Sequence, residues 1–152
     1  MKKILMVCLG NTCRSPLAGG VLKKILRKKN IEAIVESAGF EPYNIGEGPD
    51  ERALIVAKKH GIDLEEHKMR LFRKEDFKNF DFIYVMDQRN LRDVLFLAES
   101  EEDKKKVDYL MNVLNPGKNQ IIPDPYYGDL EDYEYAVTLM QQACERLAES
   151  LR

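Results

Sequence analysis

Lys3–Val7, KILMV, is apolar at every position after its lysine, the pattern of a short strand buried on both faces. From Ser15 to Lys29 the period changes. Leu17, Val21, Leu22, Ile25 and Leu26 then share one face of a helix. Ser15 suits its N-cap and Pro16 its first helical position. Gly19 and Gly20 weaken that helix and point to close packing there. EAIVESAG, Glu32–Gly39, reads as a second strand, and EPYNIGEGP, Glu41–Pro49, as a loop. Pro49 opens a helix over Asp50–Gly61, with Gly61 as its stop. FDFIYVMD, Phe80–Asp87, is a third buried strand. Helical patterns follow at Gln88–Ala98 and Glu101–Leu114. NQIIPD, Asn119–Asp124, reads as a short fourth strand, and Glu131–Leu151 as a long amphipathic closing helix.

Strands that alternate with helices imply an α/β fold: a four-stranded parallel twisted sheet flanked by helices on both faces. The pattern shows no repeat, low-complexity stretch or linker, so residues 1–152 are expected to form one domain. In such sheets ligands bind at the carboxyl ends of the strands. Cys8 ends strand one, Asp87 ends strand three and Asp124 follows strand four, so the chemistry converges on one edge.

Composition narrows the function classes. The chain is 44% hydrophobic and 33% charged, with a formal net charge of -2, which fits a globular protein and gives no electrostatic reason to expect nucleic acid or an anionic membrane as partner. The basic clusters Arg27–Lys29 and Lys104–Lys106 sit beside acidic neighbours and read as solvated helix faces. ILMV, Ile4–Val7, is far too short for a signal peptide or a membrane span. Cys8, Cys13 and Cys144 are odd in number and suggest no disulfide framework, so a reducing cytoplasm is expected. His60 and His67 have no second ligand pair at metal spacing, so no metal site is expected.

The stretch after the first strand, CLGNTCRS from Cys8 to Ser15, carries the clearest chemistry. Backbone N–H groups in a tight turn form an anion nest, and the following helix adds its own donors and dipole. Gly10 and Asn11 tolerate the left-handed angles such a nest requires. Arg14 adds a planar clamp suited to phosphate. Cys8 sets a nucleophile in a field that favours the thiolate. The spacing C-x5-R places Cys8 beneath a tetrahedral anion while Arg14 reaches its equatorial oxygens, and Ser15 can hydrogen-bond the Cys8 sulfur. A phosphate-binding loop after strand one is the expectation. Expelling an aryl oxide needs an acid, and DPYYG, Asp124–Gly128, offers one. Pro125 fixes an extended segment that aims the Asp124 carboxyl, and Tyr126 and Tyr127 can wall a cleft for an aromatic substrate.

Taken together, VCLGNTCRSPLA, SAG, IGEGPDERA, FDFIYVMDQRNLRDV and DPYYG resemble, in order and over nearly the whole chain, the low molecular weight protein tyrosine phosphatases. The resemblance implies metal-free and cofactor-free hydrolysis of phosphotyrosine proteins through a phosphocysteine, with inorganic phosphate or other oxyanions as product or inhibitor. It implies Cys8 as nucleophile, Arg14 as phosphate ligand and Asp124 as general acid and base. Substrate binding falls to Leu9, Gly10, Asn11, Thr12, Cys13 and Ser15, with Tyr43, Tyr126 and Tyr127 as aromatic walls. Loop support falls to Asp87, which matches the position that holds the arginine, and to His67 and Ser37. A monomer or weak dimer is expected.

The sequence departs from the family pattern at two points. Thr12 stands where tyrosine phosphatases usually carry isoleucine and looks like the protein-arginine phosphatase branch. Gly19 stands where many members carry glutamate, next to the polar network of His67 and Asn11. Two other functions are conceivable on such a loop. An arsenate reductase on this scaffold needs further cysteines for a disulfide cascade, and MDQRNLRDVLFLAES, Met86–Ser100, contains none. A non-catalytic phosphate-binding module would have lost Cys8, Arg14 or Asp124, and all three are present.

Overall fold

A computed structural model describes residues 1–152. Four strands, β1 (Lys2–Val7), β2 (Ala33–Ala38), β3 (Phe82–Val85) and β4 (Val107–Tyr109), pair in parallel in the order β2-β1-β3-β4. The chain leaves β1 for a neighbour on one side and enters β3 on the other, so the carboxyl end of β1 lies at a topological switch point.

The apolar run of β1 is explained by its two faces. Ile4 and Met6 join a 29-residue core cluster with α1 (Arg14–Lys29), α2 (Glu51–Lys59) and α6 (Leu130–Ser150). Leu5 and Val7 point the other way, into a 10-residue cluster with Phe72, Phe77 of α3 (Asp76–Asn79) and Val94 of α4 (Gln88–Leu97). All four side chains are fully buried, each stabilising the fold by about 1.5–3 kcal/mol. The expected close packing at α1 is present: a methyl group on Gly20 would run into Ile62, whereas one on Gly19 would meet only Val35 at 3.7 Å. Gly61 adopts a φ of +68° just beyond the end of α2.

The last third corrects the sequence reading twice. The expected helix Glu101–Leu114 breaks into α5 (Glu101–Lys105), the strand β4 and a 3-10 turn at Leu110–Val113. Val107 and Tyr109 alternate towards the Phe72–Val94 cluster while Asp108 stays exposed, and the period of two wins because it completes the sheet edge. Asn119–Asp124 is not a strand. It touches the sheet through one bond, from the Ile122 N–H to the Met86 carbonyl at 2.8 Å. Pro123 and Pro125 lack the N–H groups that a ladder requires. Ile122 alone is buried there, and it anchors the segment that carries Asp124.

Candidate active site

The chain leaves β1 at Val7 and turns through residues 8–13 before α1 begins at Arg14. The Cys8 N–H still bonds the Ala38 carbonyl of β2 at 3.3 Å, and Leu9 accepts from the Phe40 N–H at 2.7 Å. A side chain on Gly39 would stand 2.8 Å from Asn11 Cβ and from the Leu9 carbonyl, so only glycine lets β2 pass this close. The amides of Leu9, Gly10, Thr12 and Cys13 donate to no protein acceptor. Four free donors on one turn, followed by a helix N-terminus, form an anion nest.

The Cys8 sulfur lies 3.2 Å from the Asn11 N–H, 3.4 Å from the Ser15 N–H and 2.9 Å from Ser15 Oγ. Asn11 Nδ2 donates to Ser15 Oγ at 2.7 Å, which leaves the hydroxyl proton for the sulfur. Three hydrogen-bond partners thus converge on one sulfur, an arrangement that can stabilise negative charge there. The expected N-cap role of Ser15 is therefore corrected: its hydroxyl lies inside the first turn of α1 and serves the sulfur, while Cys13 occupies the cap position without a side-chain bond.

Asn11 is the hub of this network. It is fully buried and holds the left-handed angle, φ 54°. Gly10 does not adopt that angle. It is instead confined by Asn44, whose Nδ2 stands 3.2 Å from where a side chain would begin. His67 Nε2 lies 2.7 Å from the Asn11 carbonyl, and the Arg70 N–H donates to Asn11 Oδ1 at 3.2 Å. Burial lowers the His67 pKa below its usual value of 6.5, so the ring is neutral at pH 7. Its Nε2–H must then be the donor, since a carbonyl only accepts. Ser37 does not reach the loop. It sits on β2, its hydroxyl makes no hydrogen bond to the loop, and it lines a separate cavity with His67.

Arg14 is 2% exposed. Its Nη1 donates to Asp87 Oδ2 at 2.7 Å and to the Ile122 carbonyl at 2.9 Å, and its Nη2 stands 3.5 Å from Asp124 Oδ2. No hydrogen bond to a protein acceptor engages Nε or Nη2. Burial works against the charge, but Cys8, Asp124 and Asp87 outweigh it and raise the Arg14 pKa. Asp87 also caps α4, accepting from the Asn90 N–H at 2.9 Å. One carboxylate thus ties the arginine to the third strand's exit.

Above the nest opens a cavity of about 340 Å³ that Cys8, Leu9, Gly10, Thr12, Arg14 and Asp124 help to line. Tyr43, Tyr126 and Tyr127 stand at its mouth, and the last two rings meet edge to face with centroids 4.9 Å apart. Tyr127 is 94% exposed. Cys13 is turned inwards: its sulfur lies 3.3 Å from the Tyr133 hydroxyl, and burial pushes its pKa up to about 11, which keeps it a thiol. The sequence reading missed Asp50, Arg52, Arg70 and Tyr133. Asp50 lines the cavity and its N–H donates to the Thr12 carbonyl at 2.8 Å. The acidic residue after Pro49 at a helix start was the available signal for Asp50. Arg52, Arg70 and Tyr133 left no local signal.

Known proteins match this chain along its length. A sequence model of the low molecular weight phosphotyrosine protein phosphatase family matches residues 3–152. A human protein of that name is 39% identical over 150 residues, covering 97% of this chain and 94% of its own length. A protein tyrosine phosphatase from Entamoeba histolytica, solved with Hepes in its active site, superposes with a TM-score of 0.92 at 34% identity, over 99% of this chain and 97% of that one. A Drosophila arginine phosphatase superposes with a TM-score of 0.88 at 31% identity, over 99% and 97%. With the cysteine nest, the buried arginine and the facing aspartate in place, the chain belongs to the low molecular weight phosphotyrosine protein phosphatase family.

Proposed function

We propose that this protein hydrolyses phosphotyrosine in proteins in two steps, as a single phosphatase domain, monomeric or weakly dimeric. The phosphoryl group sits in the nest on the free amides and on Arg14. The Cys8 thiolate attacks phosphorus, the bond to the tyrosine oxygen breaks, and the Asp124 carboxyl protonates that oxygen as it leaves. The Asp124 carboxylate then takes a proton from water, which attacks the phosphocysteine, releases inorganic phosphate and regenerates the thiolate. The observation that carries this reading is one turn that holds the Cys8 sulfur with three hydrogen-bond partners and leaves four amides free, with Asp124 3.5 Å from the arginine. No helix is long and apolar enough to cross a membrane. The three free thiols support a cytoplasmic location.

Cys8→Ser is expected to abolish turnover of a phosphotyrosine peptide while retaining phosphate binding. Full activity in that variant, or a requirement for added metal, overturns the reading.

A second substrate deserves a direct comparison because Thr12 lines the cavity. Aromatic contacts add roughly 0.5–1.5 kcal/mol per pair, and three tyrosines stand at the mouth. One hydroxyl contributes about 1 kcal/mol, so phosphotyrosine is the favoured substrate. The test is the ratio of kcat/KM on phosphotyrosine and phosphoarginine peptides, for the wild type and for Thr12→Ile. A wild-type preference for phosphoarginine that Thr12→Ile reverses would assign the protein to arginine phosphatase chemistry.

A further inference from the structure

The segment bearing Asp124 has few ties to the rest of the molecule. It leaves the sheet at Ile122, bonded to Met86, and rejoins regular structure at Asp129, which caps α6. Between them the turn is closed internally, by the Gly128 N–H to the Pro125 carbonyl at 2.9 Å and the Tyr126 N–H to Asp124 Oδ1 at 3.0 Å. Apart from the ion contact of Asp124 with Arg14, one side chain from another element hydrogen-bonds to it. Arg52, on α2, donates from Nη2 to the Tyr126 carbonyl at 2.6 Å and from Nη1 to the Gly128 carbonyl at 2.8 Å. Its guanidinium carbon lies 5.6 Å from the Tyr126 ring centroid and 5.1 Å from that of Tyr133. Its Nε and Nη2 face the two carboxylate oxygens of Asp50 at 3.2 and 3.3 Å.

We infer that Arg52 is the positioning residue that registers the proton donor against the phosphate-binding loop. Asp50 gives its N–H to the Thr12 carbonyl and its carboxylate to Arg52. Arg52 grips the Tyr126 carbonyl, and the amide of that same residue holds the Asp124 carboxyl. A continuous path therefore runs from the nest to the acid. The rigid, planar fork of arginine makes this possible. A lysine supplies one point charge and cannot engage two carbonyls and a carboxylate together.

The inference rests on the proposed roles of Cys8 and Asp124, and its test separates the two. Arg52→Ala and Arg52→Lys are assayed with phenyl phosphate, whose leaving oxygen needs a proton, and with 2,4-dinitrophenyl phosphate, whose leaving oxygen does not. Misplacing a donor by an ångström costs on the order of 100-fold. Both variants are expected to lose about 10- to 100-fold in kcat/KM on phenyl phosphate and less than ~3-fold on the dinitrophenyl ester. The inhibition constant for inorganic phosphate should stay unchanged. In an Asp124→Ala background, Arg52→Lys should add less than ~2-fold, because a donor already absent cannot be misplaced. Equal losses on both esters, additive losses in the double variant, or full rescue by lysine would each overturn the clamp. Cys8→Ser that remained active would instead overturn the reaction itself. Should Arg52→Ala fail to fold, Arg52→Lys and the double variant decide the matter.

Discussion

Asn11 concentrates more of the site than any other side chain, and replacing it gives the sharpest test of how the nest is held. Asn11→Ala removes the bond to Ser15 Oγ at 2.7 Å and the acceptor of the Arg70 N–H at 3.2 Å. The first loss costs about 0.5–1.5 kcal/mol, and leaving the second group without its partner costs about 1–3 kcal/mol. Alanine must also take the left-handed angle, φ 54°, at about 1 kcal/mol. The sum is roughly 2.5–5.5 kcal/mol, in the upper tail for a single substitution. Asn11→Gly loses the same bonds without the left-handed strain, but its unfolded chain gains freedom worth about 0.4–1 kcal/mol. It is therefore expected to match alanine or exceed it by up to ~0.5 kcal/mol in stability.

Urea unfolding of the three proteins, compared at a common slope, reads these differences directly. Losses below ~1 kcal/mol in both variants would show that the hub does not stabilise the loop. A glycine variant clearly less stable than alanine would refute the strain argument. Both variants should also lose turnover, because Ser15 no longer has the Asn11 amide to direct its proton at the sulfur.

Two further outcomes are expected. The His67 pKa is lowered in the folded state, so the unfolded chain takes up the proton first. Stability should fall as pH drops below about 6.5 until the folded-state pKa is reached. His67→Gln, which keeps a donor towards the Asn11 carbonyl, should flatten that component, and an unchanged slope in urea midpoints against pH would refute the assignment. Peroxide should inactivate the protein reversibly: Cys8 is oxidised to a sulfenic acid, and the Cys13 thiol displaces water to form a Cys8–Cys13 disulfide. With excess peroxide, Cys13→Ser should let the Cys8 sulfenic acid be oxidised further to the sulfinic acid, a loss that thiol reductants do not reverse, and mass spectrometry without the Cys8–Cys13 linkage in oxidised wild type would count against it.

The elements that were legible in the sequence are those whose burial is fixed by their own pattern. β1 and β3 are apolar on both faces because helices cover both faces of a parallel sheet, so a short unbroken run identifies them. β4 was hidden because its three residues follow a lysine-rich helical turn, and only the vacant edge beside β3 selects the extended form. Asn119–Asp124 misleads in the opposite direction, because its adjacent isoleucines are split and only Ile122 is buried. Ile121 is 45% exposed, and the prolines that follow direct the chain to the site instead.

The same division separates the two halves of the chemistry. The nest is local: eight consecutive residues supply the sulfur, the free amides, the left-handed hinge and the arginine, so their spacing alone exposed them. The support behind them is not local. His67 and Arg70 reach Asn11 from 56 and 59 positions away, and Arg52 reaches Tyr126 and Gly128 from 74 and 76 away. A charged residue on a helix, such as Arg52, reads as solvated unless its acceptor is known, and its acceptors on the acid segment are the backbone carbonyls of Tyr126 and Gly128, which no side-chain pattern marks. The placement of Asp124 therefore depends on a residue whose own sequence context carries no trace of the task. Substitutions on α2 at Arg52 should accordingly change proton delivery while the nest, built from its own short segment, continues to bind phosphate.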